Sequence, residues 1–140
     1  AKEMFNTVTK KLLNNYGLKT LAKGEVGYRE IYEGDQIKRD MSYHQGITWP
    51  WLLGIYADAF QKIIQAEKNK TNKKELEKQY REFVQNLEKT FKEEMYHRST
   101  VGSISELYDS TKPYQSKGSF AQAWSVAEVF RIIVNGDGEF

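Results

Sequence analysis

Apolar residues recur at helical spacing in four stretches of the chain. In the first, from about Lys2 to Asn15, Met4, Phe5, Val8, Leu12 and Leu13 share one stripe, and Gly17 follows as a stop signal. The second starts at Pro50, whose missing N–H costs nothing at a first helical position, with Thr48 or Trp49 as cap. Its pairs Trp51/Leu52, Ile55/Tyr56, Ala59/Phe60 and Ile63/Ile64 form a wide face that must be buried. The polar run QAEKNKTNKK ends it. The third helix is expected from a cap at Asn72, with Glu75 at capping-box spacing, to about His97. Leu76, Tyr80, Phe83, Val84, Leu87, Phe91 and Met95 make its stripe, and the charged opposite face marks it as an outer helix. The fourth, FAQAWSVAEVFRIIV, begins near Ser119 with Gln122 at the capping-box position. It is apolar nearly all round, which predicts an inner, mostly buried helix.

Between the first two helices, residues 17–46 hold no period. Loops of this length are usually functional or disordered, and the tyrosines here argue against disorder. Residues 136–140, GDGEF, read as a frayed tail. Strand alternation is weak everywhere. The expected class is therefore all-α, one domain of antiparallel helical hairpins.

Composition adds little to this picture except at three points. Aromatics reach 14%, which makes a stacking surface worth seeking. A net charge of +2 implies no strong field for polyanions, and the basic run KNKTNKKELEK is diluted by acids, so nucleic acid is not an expected partner. No cysteine is present, which excludes disulfides and thiolate metal sites and fits a cytoplasmic setting. No apolar run approaches the ~20 residues that span a bilayer, and the first residues do not have the apolar core of a secretory signal. His44 and His97 have no ligand-spaced partners, and no phosphate loop or nucleophile triad is present, so neither a metal nor another cofactor is implied.

Two segments carry candidate chemistry. Tyr43-His44-Gln45-Gly46-Ile47-Thr48-Trp49-Pro50-Trp51 combines directional donors and acceptors with flat apolar faces at a loop-to-helix junction. That mixture suits a sugar ring, with its C–H faces and hydroxyl edges. Read structurally, the tryptophans are core anchors and His44 caps a turn; the preceding irregular segment favours a site. The second segment is Ser103-Ile104-Ser105-Glu106. Its spacing is that of a capping box, but the loop-forming run DSTKPYQSKG leaves room for only one helical turn. A carboxylate on so short a turn can project into a cleft.

The blocks YGLKTLA, YEGD, RDMSYHQGITWPWLLG, GSISELYDS and KGSFAQAWSVAEVFR occur in an order that resembles the C-terminal part of the amylo-α-1,6-glucosidase module of glycogen debranching enzymes. The likeness spans nearly the whole chain, apart from the charged helix from about Lys68 to Arg98. The resemblance implies a segment of an (α/α)6 toroid. It implies hydrolysis of α-1,6 branch points of glycogen or limit dextrin with inversion. That reaction needs a general acid and, about 6.5–9.5 Å away, a carboxylate that activates water. By this likeness Glu106 is the general base. His44, Gln45, Trp49 and Trp51 belong to the block lining the glucose subsite, and Arg39, Asp40 and Trp124 stand in matching blocks. The family's general acid lies upstream of the matching blocks, so the chain is expected to be a fragment, inactive alone. The alternative is a non-catalytic helical module that binds oligosaccharide or a partner chain. The apolar faces of the second and last helices, with the rest of a toroid missing, predict a homo-oligomer.

Overall fold

A computed structural model describes residues 1–98 and 101–136, so most of the expected tail, residues 137–140, lies outside the described residues. Helices α1 (Lys2–Lys11), α2 (Gln36–Tyr43), α3 (Leu52–Ala66), α4 (Lys70–Glu93) and α5 (Ala123–Asn135) account for half of the chain. A π-helical turn, Glu94–Arg98, continues α4.

The expectation of an all-α chain is wrong, and a segment of an all-helical toroid does not describe this fold. Five short strands, β1 (Leu13–Asn14), β2 (Gly17–Lys19), β3 (Thr48–Trp49), β4 (Leu107–Tyr108) and β5 (Ser116–Lys117), form one antiparallel sheet in sequence order. Leu13 pairs with Leu18, Leu18 with Trp49, Thr48 with Tyr108, and Tyr108 with Ser116. None exceeds three residues. Alternation needs about four to eight residues to show, so strands this short leave no periodic signal.

Local chemistry explains the boundaries. The first helix stops at Lys11 because Asn14 is committed elsewhere. Its Oδ1 accepts the Tyr16 N–H at 2.9 Å and its Nδ2 donates to Thr48 Oγ1 at 2.7 Å, which turns the chain into the β1–β2 hairpin. Gly17 follows at φ +153°, with no room for a Cβ against the Trp49 carbonyl across the sheet. The α4 cap is Asn69, not Asn72. Asn69 Oδ1 accepts the N–H groups of Thr71 and Asn72 at 3.0 and 3.1 Å. Glu75 instead accepts from Gln79 one turn on.

The main core lies where α3, α4 and α5 pack on one another. Leu53, Tyr56, Ala57 and Phe60 meet Tyr80, Val84, Leu87 and Phe91, with Val129, Ile132 and Ile133 from α5. These positions follow the 3.6-residue repeat on each helix. Helix α5 is not buried all round: Trp124, Phe130 and Val134 are exposed. A second, smaller cluster of Ile47, Trp49 and Leu107 sits on the sheet, flanked by Tyr32, Tyr43 and Trp51.

The segment expected to be irregular contains β2 and α2, and its remainder is tied down. Arg29 N–H donates to the Gln45 carbonyl at 2.6 Å, and Ser110 N–H to the Glu30 carbonyl at 2.8 Å. Asp109 Oδ1 accepts the Tyr32 N–H at 2.8 Å. Asp35 caps α2 through the Lys38 N–H at 2.9 Å. The chain between β2 and β3 is thereby held against the strand that carries the residues after Glu106.

Candidate active site

Glu106 immediately precedes β4, so a strand rather than a helix follows it directly. The capping-box geometry does not form. Glu106 pairs instead with Ser119 across the β4–β5 hairpin: its N–H donates to the Ser119 carbonyl at 2.8 Å, and its Oε2 accepts the Ser119 N–H at 2.9 Å. Its other oxygen, Oε1, accepts the Tyr43 hydroxyl. Gly118 makes the turn possible. It sits at φ +70°, and a Cβ there would collide with Glu106 Oε2.

Tyr43 ends α2 and lies in a run of aromatic contacts. Its ring meets Tyr32 at 5.8 Å, His44 at 4.8 Å and Trp49 at 4.7 Å between centroids. Burial pushes the Tyr43 phenol well above its usual range, and the Glu106 carboxylate beside it adds to the rise. Asp109 is also raised by burial, against the Tyr32 N–H bond that lowers it. Its carboxylate is spent on holding the chain at Tyr32.

The aromatic wall continues past Tyr43. His44 stacks on Trp49, with centroids 5.7 Å apart and planes at 10°. Trp124 meets Trp49 edge-on at 6.2 Å and stacks on Trp51 at 5.4 Å. Trp49 is only 4% exposed, and its Nε1 donates to the Tyr43 carbonyl at 3.1 Å. It is the foundation of the wall. Trp124, at 46% exposed, and the half-buried Trp51 offer faces to solvent.

Five of the residues singled out in sequence therefore converge: Glu106, His44, Trp49, Trp51 and Trp124. Three stand apart from that core. Gln45 lies over Gly27, at the loop side. Arg39 donates from Nη1 to the Gly34 carbonyl at 2.9 Å, back onto the entry to its own helix. Asp40 is exposed on α2, one turn before His44. Sequence reasoning missed Tyr43 as a partner of Glu106, and missed the Ser119 N–H altogether. A tyrosine beside a histidine signals no carboxylate partner 63 residues away, and a backbone donor has no side-chain identity to read.

Chemically, the arrangement is a half-exposed carboxylate held by two donors at the edge of an aromatic wall. Such a group can accept a proton from water, and the wall can cover the C–H face of a sugar. Among the described residues no helix is long and apolar enough to cross a membrane. No curated protein shows significant similarity to the chain. The family model described as amylo-α-1,6-glucosidase matches residues 1–131, and the chain belongs to that family.

Proposed function

We propose that this chain is the C-terminal portion of a glycogen debranching glucosidase, with Glu106 as general base. The observation that carries the reading is the double hold on Glu106 beside the tryptophan wall. In an inverting step, Glu106 takes a proton from water while the water oxygen bonds to the anomeric carbon. The glycosidic C–O bond breaks on the opposite face, and the leaving oxygen takes a proton from a carboxylic acid. That acid is supplied from outside these 140 residues, so the isolated chain is inactive. The substrate is an α-1,6-branched glucan in the cytoplasm. His44, Trp51 and Trp124 line the glucose-binding face, Trp49 supports it, and Gln45, Asp40 and Arg39 serve its outer edge.

Hydrolysis of limit dextrin tests this reading. The 140-residue chain should show no turnover. The debranching protein that carries it should be active and should lose activity on Glu106→Gln with glucan binding retained. Near-normal turnover by that variant removes the base assignment and leaves a carbohydrate-binding module.

The isolated chain also self-associates. Ile55 of α3 and Phe130 and Val134 of α5 remain exposed, and apolar surface of this kind drives association. Light scattering should give a mass above one chain; a clean monomer counts against it.

A further inference from the structure

We infer that Tyr43 is the positioning residue of Glu106, a fixed hydrogen-bond donor that holds the carboxylate in the orientation from which it meets the attacking water. This rests on the base reading above and adds a residue to it. Glu106 is set on a turn, and a carboxylate on a turn can rotate about its last bond. Two donors from two separate elements stop that rotation. Ser119 N–H, from the turn before α5, holds Oε2, and the Tyr43 hydroxyl, from the end of α2, holds Oε1. Each oxygen then keeps one lone-pair direction free for water.

The phenol is itself fixed at three points. Its ring is packed against Tyr32, His44 and Trp49. Its carbonyl accepts the indole N–H of Trp49. Its backbone closes α2, whose start is capped by Asp35. Trp49 in turn belongs to β3, which pairs with β4 just after Glu106. The donor and its acceptor are thus positioned by the same sheet, from opposite sides of a chain connection of more than sixty residues. Burial, reinforced by the carboxylate, keeps the phenol protonated, so Tyr43 gives a hydrogen bond and takes no proton in the step.

The test compares Tyr43→Phe, Glu106→Gln and the unaltered debranching protein on limit dextrin. Tyr43→Phe keeps the ring and removes only the donor. It should lower kcat about 10²-fold, the scale of a misplaced catalytic group, and leave KM unchanged. An unchanged kcat overturns the inference while the base reading stands, provided Glu106→Gln is inactive. A raised KM with kcat retained makes Tyr43 a substrate contact and also overturns it. Full activity of Glu106→Gln overturns both readings. A second measurement needs no turnover and no Tyr43 variant. In an ultraviolet titration of tyrosinate on the 140-residue chain, Glu106→Gln should let one tyrosine ionise at lower pH than in the unaltered chain. No shift means that the phenol and the carboxylate are not paired, and it removes the inference even where Tyr43→Phe fails to fold.

Discussion

Glu94 and Glu106 both precede β4 in the chain, and their surroundings could hardly differ more. Glu94, in the π-helical turn after α4, is 1% exposed, and neither of its oxygens closes a hydrogen bond among the described residues. Its support is the Arg98 guanidinium at 3.8 Å and the Tyr108 hydroxyl, which lies close without closing a well-formed hydrogen bond. Burial pushes its carboxyl up, opposed by the Tyr108 hydroxyl and by Arg98. Glu106 is half-exposed and carries a donor on each oxygen. The first is a carboxylate that the fold tolerates; the second is one that the fold has been built to hold and to leave open to water. On the proposed reading of Glu106, donors and access rather than burial mark the working carboxylate.

The sharpest way to break this comparison is to neutralise each in turn. In the active debranching protein, Glu106→Gln should reduce hydrolysis by about 10²–10⁴-fold, the range of a lost general base, with little change in melting temperature. Glu94→Gln should leave kcat alone. Equal losses in both variants would show that the two carboxylates act through stability only.

A smaller effect is expected from the turn. Gly118→Ala places a Cβ on Glu106 Oε2 and forces a non-glycine residue to φ +70°. The strain is worth about 1–2 kcal/mol, read as a lower denaturation midpoint. The rate should fall further than stability does, because the carboxylate is displaced. A variant with lower stability and full rate would detach the turn from the site.

The smallest effect concerns pH. Glu94 binds its proton more tightly folded than unfolded, so this group favours the folded state at low pH. That contribution is lost as pH rises from the ordinary value of 4.5 toward the raised folded value. Glu94→Gln should therefore stabilise the chain at neutral pH, by about 1 kcal/mol for relief of a buried group short of partners. The gain should vanish at low pH. Denaturant melts across that range check it, and a gain that is constant with pH contradicts the buried-charge account.

Much of the helical part of the fold was legible along the chain. The Tyr80, Val84, Leu87, Phe91 set fills the core from one face of α4 as its spacing predicts, whereas on α3 Tyr56 and Phe60 are buried as expected but Leu53 and Ala57 join them and Ile55 lies exposed. The apolar run in α5 misled, because helix periodicity counts apolar residues but does not say how many neighbours exist to cover them. Only the α4 cap was legible as a residue type, and it was misplaced: Asn69, not Asn72, holds α4, while α3 and α5 begin at Trp51 and Gln122 without a side-chain cap instead of at Thr48 or Trp49 and at Ser119. The site was legible in part. Trp51 and Trp124 were found and meet in a stack, but Glu106 as a cap was a local reading of a residue whose partners are distant.

By itself the sequence determined four of the five helices, α2 being the exception, because the alternation of apolar and polar residues is a local property that a helix repeats every few residues. The order of its blocks also carried the family. Only the tertiary structure decided the sheet, whose strands are two or three residues long and exist because Leu18 reaches Trp49 and Thr48 reaches Tyr108. It alone decided the hold on Glu106. Hydrogen bonds between residues far apart in the chain depend on where the backbone brings them, and no local pattern encodes that meeting.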